Sequence, residues 1–258
     1  MATDMHYSFS HTIIYSEIDT RGCLALPSFS AIFQEAALLQ AEELGFGESY
    51  CAAEGRMWVL SRLRVEFERS PAHRECIRVE TWPKEPQGPL ARRDFRIFGA
   101  DGTLCARATS GWMLLDTAGM RPVRPQQVFK DFDFSDVGEA VRGSAPKVPG
   151  CDGEGSQVQV IARYSDLDQN DHVNNTRYVR WFLDCFSPQD FDRLELTGFD
   201  INYSRAAGWN DTVTLKRCDM PGSTIVRGYL DDGSESFAAM LHYRDVVPQA
   251  VDDSGEKD

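Results

Sequence analysis

Apolar side chains recur with the period of an α-helix at two places in the chain. The first run starts near Pro27, a residue type favoured in a first helical turn, and stops at Gly45, a type favoured just past the last turn. Its apolar positions are Phe29, Ile32, Phe33, Ala36, Ala37 and Leu44. The second run has i, i+3, i+4, i+7 spacing over Tyr178, Trp181, Phe182 and Cys185. The sequence therefore predicts two long amphipathic helices.

Around these helices, apolar and polar residues alternate with the period of a β-strand. The alternation covers residues 6–15, 63–68, 77–81, 95–97 and 104–115 in the first half and residues 199–203, 213–215, 223–230 and 236–243 in the second. Each half thus contains one helix followed by several antiparallel strands. A sheet wrapped around one apolar helix buries both elements, so the predicted class is α+β.

The two halves are copies of one unit. The segment YSEID at 15–19 recurs as YSDLD at 164–168, an offset of 149 residues. A second offset of 136 residues places Phe67 on Tyr203 and Arg69 on Arg205 in the strands that follow each helix. Self-similarity of this kind indicates an internal duplication.

Two segments are predicted to lie outside the repeated units. Residues 131–157 are rich in Gly, Ser, Pro and acidic residues and indicate a linker, and residues 247–258 indicate a disordered acidic tail. The N-terminal unit therefore covers residues 1–130, and the C-terminal unit covers residues 158–246.

Charge and cysteine content limit the partners and the compartment. With 27 basic and 40 acidic residues, the formal net charge is −13, which argues against nucleic acid or an anionic membrane surface as a partner. The seven cysteines are scattered without a CxxC pair, which favours reduced thiols over a zinc site or a disulfide framework. There is no signal-like N-terminus and no apolar run of transmembrane length. We expect a cytoplasmic protein.

Residues with catalytic chemistry concentrate in the turn before the second helix, at Asp168, Asn170 and His172. Asn174 or Asn175 can cap that helix, which leaves His172 just outside its N-terminus, where free N–H groups favour developing negative charge. An imidazole is suited to general-base catalysis near neutral pH, and a carboxylate and an amide can orient it or a water molecule. The bare pattern fits a polar capping turn equally well.

The stretch from Asp166 to Trp181 resembles the D-x-D-x-N-x-H-V-N-N-x-x-Y-x-x-W motif of the acyl-acyl-carrier-protein thioesterases. The resemblance implies a tandem (double) hotdog fold, in which each antiparallel sheet wraps around one long helix. It also implies thioester hydrolysis without a cofactor or a metal ion. In that family the residues at the positions of Asp168, Asn170 and His172 are held to be catalytic.

The first copy has kept the scaffold and lost most of the polar set. Asp19 matches Asp168, but Arg21 stands where the second copy has Asn170, and Cys23 stands where it has His172. We therefore expect one active site, in the C-terminal unit, and an acyl pocket in the N-terminal unit.

The chain departs from the plant members of the family in the segment after the second helix. Their Y-R-R-E-C is matched here by residues 203–207, YSRAA, which offer neither a carboxylate nor a thiol at the last two positions. This favours direct attack by water over a cysteine nucleophile and leaves open a replacement acid. Glu35, next to Gln34 on the first helix, is one candidate.

Five residues are candidates for substrate binding: Gln34, Glu35, Trp58, Asn174 and Asn175. Trp58 lies in a W-x-L-S-R element that resembles one in the first half of the family. Phe29, Phe33 and Met57 are further candidates for an acyl pocket, although ordinary core packing explains each of them as well.

Three functions remain open. They are release of free fatty acid from acyl-acyl-carrier protein, hydrolysis of acyl-CoA by the same chemistry, and non-catalytic binding of acyl chains or acyl carriers. Because carrier protein is acidic, its docking requires a basic surface, for which the candidates are Arg62, Arg64, Arg69, Arg92, Arg93, Arg96, Arg177 and Arg180. Both a monomer and a homodimer fit the duplication.

Overall fold

The structure is a computed structural model that describes residues 5–150 and 155–246. The N-terminal copy contains the helices α1 (Leu26–Glu43) and α2 (Glu48–Glu54). Its strands are β1 (Tyr7–Thr12), β2 (Arg56–Phe67), β3 (Cys76–Gln87), β4 (Leu90–Phe98), β5 (Leu104–Asp116) and β6 (Arg121–Val123). The C-terminal copy contains β7 (Gln157–Ile161), the helices α3 (Asn175–Leu183) and α4 (Pro188–Arg193), and then β8 (Leu194–Tyr203), β9 (Thr212–Met220), β10 (Ser223–Leu230) and β11 (Glu235–Asp245).

The strands of both copies form one continuous sheet. Its order is β1-β3-β4-β5-β2-β8-β11-β10-β9-β7, with β6 beside β5, and the pairings among the described residues are antiparallel. The order in the second half mirrors the order in the first. The halves join where β2 pairs with β8, with Leu63 opposite Ile201 and Val65 opposite Phe199. The predicted double hotdog is confirmed.

The core lies between the sheet and the helices α1 and α3, which pack on the same face of it. Phe29 and Phe33 of α1 and Phe182 of α3 are fully buried there. The Phe29 ring lies 4.9 Å from Phe67, and the Phe67 ring lies 6.1 Å from Phe199, across the junction of the two copies. Burial of each such side chain contributes roughly 1.5–3 kcal/mol, so one shared core holds the copies together.

The two central helices differ in length. Helix α1 has 18 residues, as expected for a long helix, whereas α3 has nine and ends before Cys185. A helix continued through Pro188 would lack one N–H and would place the proline ring against the carbonyl of Asp184. The chain therefore turns, and α4 begins at Pro188 with the Ser187 hydroxyl accepting a hydrogen bond from the Asp190 N–H at 3.2 Å.

The connecting segment has no helix or strand over residues 131–150, but it is packed against the outer face of the sheet. Lys84 and Asp94 form a buried ion pair there, with 2.9 Å between Nζ and Oδ1. Asp94 accepts a hydrogen bond from the Ala140 N–H at 2.7 Å, and Lys84 donates to the Gly143 carbonyl at 2.9 Å. The segment is thus fastened to the N-terminal copy by a charged pair that it helps to bury.

The cysteines depart in one respect from the expectation of reduced thiols. Cys23, Cys51, Cys76, Cys105 and Cys185 are free, as expected. Cys218 is disulfide-bonded, so for this residue the expectation is wrong.

The predicted acidic tail, residues 247–258, lies outside the described residues. Within the ranges that the structure covers, no helix is long and apolar enough to cross a membrane.

Candidate active site

The polar turn of the second copy and its counterpart in the first copy follow the same backbone path. The Asp168 N–H donates to the His172 carbonyl at 2.8 Å, and the Asp19 N–H donates to the Cys23 carbonyl at the same distance. The second turn contains Asp171 at φ 59°, a left-handed conformation that Asp tolerates better than most residues. The duplication therefore extends to individual hydrogen bonds.

The two turns differ in charge. In the first copy, Asp19 Oδ2 is held by Arg21 through Nε at 2.9 Å and Nη2 at 2.6 Å, so the carboxylate is neutralised. In the second copy, Asp168 Oδ1 accepts a hydrogen bond from the Asn170 N–H at 2.8 Å. The Asp168 carboxylate forms no ion pair within the described residues. Because Asn170 stands where the first copy has Arg21, the half-buried Asp168 carboxylate lacks the ion pair that Asp19 makes.

The other two predicted catalytic side chains point away from internal partners. Asn170 and His172 are exposed, and neither side chain makes a hydrogen bond to another described residue. The turn is held through its backbone, because the Val173 N–H donates to the Ala207 carbonyl at 2.8 Å. The structure brings Asn170, His172 and Asp168 together on one turn, without a hydrogen bond between their side chains.

The helix that follows the turn starts at the two asparagines of the motif. Asn174 is the cap, since its Oδ1 accepts hydrogen bonds from the Thr176 N–H at 3.0 Å and the Thr176 hydroxyl at 2.7 Å. Asn175 is the first residue of α3, and its Nδ2 donates to Gln34 Oε1 on α1 at 3.4 Å. The Thr176 and Arg177 N–H groups are both bonded to Asn174, whereas the Asn175 N–H has no acceptor among the described residues. Together with the helix dipole, it gives the site a partial positive charge.

The first copy contributes two side chains next to the turn. Gln34 contacts Asn175, as described above, and Glu48, the first residue of α2, accepts a hydrogen bond from Gln169 Nε2 at 3.4 Å. Glu35 is exposed and has no hydrogen bond or ion pair in the described part of the chain. Analysis of the sequence missed Glu48. Its only signal there is a carboxylate after a glycine, a pattern typical of a helix start.

Residues 203–207, the segment that departs from the family motif, are hydrogen-bonded to α3. The Ala207 N–H donates to the Tyr178 hydroxyl at 2.8 Å, and the Tyr203 hydroxyl donates to the Asn175 carbonyl at 3.1 Å. Burial raises the pKa of both tyrosines, so both hydroxyls are neutral. On the same loop, Asp211 accepts a backbone N–H at 2.8 Å. Asp211 supplies a carboxylate to this loop, another residue that sequence analysis missed.

A cavity of about 40 Å³ lies between α1 and the sheet of the N-terminal copy. Its walls include Ala37, Ala41, Trp58, Ala91, Arg93 and Phe129. The Trp58 indole donates to the Phe46 carbonyl at 2.8 Å, which orients the ring. Phe29 and Phe33 do not line the cavity and are core residues.

Most of the arginines that were candidates for a basic surface form ion pairs or hydrogen bonds within the protein. Arg69 pairs with Glu75 at 2.5 Å, and Arg177 donates to the Ser165 carbonyl at 2.7 Å. Arg93 is buried and therefore cannot belong to a docking surface. On α3, Arg180 is exposed and makes no ion pair within the described ranges.

Two family models match the chain. The acyl-ACP thioesterase N-terminal domain matches residues 4–132, and the acyl-ACP thioesterase C-terminal domain matches residues 152–242. An oleoyl-acyl carrier protein thioesterase of Arabidopsis thaliana is 25% identical over 252 residues, which cover 88% of this chain and 66% of that protein. A palmitoyl-acyl carrier protein thioesterase of Cuphea hookeriana is 27% identical over 201 residues, which cover 73% and 48%. The chain spans about half to two thirds of the length of these relatives.

Solved structures share the fold over nearly the whole chain. An acyl-ACP thioesterase from Bacteroides thetaiotaomicron superimposes with a TM-score of 0.85 at 20% identity, covering 93% of this chain and 98% of that one. The 12:0-ACP thioesterase from Umbellularia californica gives 0.82 at 23% identity, covering 95% and 100%. At these identities the likeness supports the common architecture of two joined copies.

Proposed function

Because this chain belongs to the acyl-ACP thioesterase family, we propose that it hydrolyses fatty acyl-acyl-carrier protein and releases the free fatty acid. One observation carries the proposal. The second turn presents the charged carboxylate of Asp168 beside Asn170 and His172, whereas its duplicate carries the neutral pair of Asp19 and Arg21. A fold that only packed or only bound acyl chains would have no need for this difference.

In the proposed reaction His172 is the general base. Its imidazole takes a proton from a water molecule, and the oxygen of that water attacks the thioester carbonyl. Asp168 stabilises the resulting imidazolium, because its carboxylate forms no ion pair with any residue that the structure describes. Asn170 holds the water or the carbonyl through its exposed amide. Direct attack by water agrees with the lack of a thiol or carboxylate at Ala206 and Ala207.

The tetrahedral intermediate requires stabilisation of its negative oxygen. The N-terminal end of α3 offers the backbone N–H of Asn175 and the positive end of a helix dipole, whereas the Asn174 N–H already donates to the Asp166 carbonyl at 2.8 Å. When the intermediate collapses, the C–S bond breaks and the proton on His172 passes to the leaving thiolate. The products are a free fatty acid and the thiol of the carrier.

The partner in this proposal is an acyl-carrier protein. Carrier proteins are acidic, and Arg180 provides an exposed positive charge on the helix that begins at the site. Because exposed charges are screened by salt, KM for acyl-carrier protein should rise with ionic strength. KM for acyl-CoA should change less, and comparable kcat/KM on both carriers would make acyl-CoA thioesterase the better description.

The test compares His172→Ala with Cys23→Ala, which changes the matching position of the inactive turn. Free fatty acid release is measured from a panel of acyl-carrier proteins and acyl-CoAs of different chain length. We expect His172→Ala to lose about 10²–10⁴-fold in kcat and Cys23→Ala to stay within about twofold of the wild type.

Two outcomes would refute the proposal. Release of no fatty acid by the wild type, with acyl-carrier protein still bound, would indicate a non-catalytic acyl binder. Equal losses in the two variants would show that the second turn has no special chemical role.

A further inference from the structure

We propose that Arg93 recognises an oxygen atom near the far end of the acyl chain, so that the substrate is a medium-length acyl group bearing a distal hydroxyl or oxo group. The inference rests on the proposed function in one respect, since it assumes that the cavity of the N-terminal copy receives the acyl chain.

Arg93 is a buried cation without an anionic partner. It is 4% exposed, lies on β4 facing α1, and forms no ion pair with any described residue. Its Nη1 donates to Gln40 Oε1 and, at 3.1 Å, to Thr81 Oγ1. Burial lowers the pKa of Arg93 to about 9, so the guanidinium is still charged at neutral pH.

The remaining donors of Arg93 are unused. Nε and Nη2 make no hydrogen bond within the described residues, although a guanidinium has five N–H donors. A buried charge is normally paired, because leaving it unpaired costs far more than burying a neutral group. No other side chain that lines the cavity is an acceptor, because Arg92 and the two tryptophans only donate and the rest, such as Ala37 and Ala41, are apolar. A ligand that enters the cavity can supply the acceptor.

The position of Arg93 along the cavity indicates where that acceptor lies. Gln34 of α1 contacts Asn175 at the proposed active site, and Gln40, the partner of Arg93, is six residues further along the same helix. This separation corresponds to about 9 Å along the helix axis. An extended alkyl chain advances about 1.3 Å per C–C bond, so an oxygen on roughly the eighth carbon would reach the guanidinium.

The chemistry of the donor set explains the predicted selectivity. Arginine only donates hydrogen bonds, so a hydroxyl or oxo oxygen satisfies it, whereas a terminal methyl group would displace solvent and leave the charge unpaired. A site built for a polar group discriminates strongly against the analogue that lacks it. Arg93 would thus act as a specificity-determining residue and would be remote from the reacting carbonyl.

The test measures binding rather than hydrolysis. N-methyloctanamide and N-methyl-8-hydroxyoctanamide replace the thioester by an amide, so they report on the cavity alone. Calorimetry is performed on the wild type, on Arg93→Met, and on Arg96→Met, which removes an arginine from the outer face of the same strand. A charged hydrogen bond predicts that the hydroxylated amide binds the wild type about ten- to a hundredfold more tightly.

We expect Arg93→Met to abolish this preference and Arg96→Met to preserve it. If the wild type binds the two amides with equal affinity, that result alone overturns the inference, whatever the variants do. A preference that survives in Arg93→Met, or no binding of either amide, would overturn it as well. Failure of fatty acid release with an intact Arg93-dependent preference would refute only the proposed hydrolysis.

Discussion

The duplicated turn allows the role of Asp168 to be tested against an internal control. Asp168→Asn and Asp19→Asn make the same chemical change at equivalent positions of the two copies. In both turns the carboxylate Oδ1 accepts a backbone N–H, from Asn170 at 2.8 Å and from Arg21 at 2.9 Å. An asparagine Oδ1 can accept the same bond, so the turn geometry is retained.

The structural costs of the two changes are small and similar. A hydrogen bond to a charged acceptor is worth about 1 kcal/mol more than one to a neutral acceptor. Asp19→Asn also weakens the ion pair with Arg21, which is partly exposed and contributes about 0–1 kcal/mol. We therefore expect both variants to lose about 1–2 kcal/mol in the free energy of unfolding, measured by urea denaturation.

The catalytic costs differ. Asp168→Asn removes the charge that stabilises the protonated imidazole, and we expect kcat for fatty acid release to fall about 10²-fold or more, or about 3 kcal/mol in the activation barrier. Asp19→Asn should leave kcat within about twofold of the wild type. The reasoning would be refuted if Asp168→Asn kept a third of its activity, or if both variants lost activity equally.

Two further predictions concern the surroundings of the site and the free thiols. Tyr178→Phe leaves the buried Ala207 N–H without an acceptor, which should cost about 1–3 kcal/mol and lower Tm by a few degrees in calorimetry. An unchanged Tm would contradict the assigned hydrogen bond. At pH 8, iodoacetamide should modify the exposed Cys76 and spare Cys105, because burial raises the pKa of Cys105 to about 11 and the thiol stays protonated below that value. Peptide mass spectrometry identifies the modified residue. Modification of Cys105 with Cys76 left unmodified would contradict the prediction.

Several features of the protein follow from local patterns in the chain. Period-two alternation located the strands except β6 and β7, the second of which starts at Gln157 in the predicted linker. The repeated YSEID and YSDLD segments indicated two equivalent turns, which share their hydrogen bonds. The cap of α3 was narrowed to Asn174 or Asn175, and the structure identifies Asn174. The predicted length was wrong for α3, although Pro188, the residue that prevents its extension, is visible in the sequence.

The sequence alone determined the duplication, the strand and helix types and the residues by which the two turns differ. These features depend on side-chain periodicity and on neighbours a few residues away. Only the tertiary structure decided which distant groups meet. The contact of Glu48 with Gln169 joins residues 121 positions apart. Arg93 was grouped with surface arginines, since alternation shows which residues share a face but not what covers that face. Its burial depends on α1 packing over β4, and pairing between remote elements leaves no periodic signal in the chain.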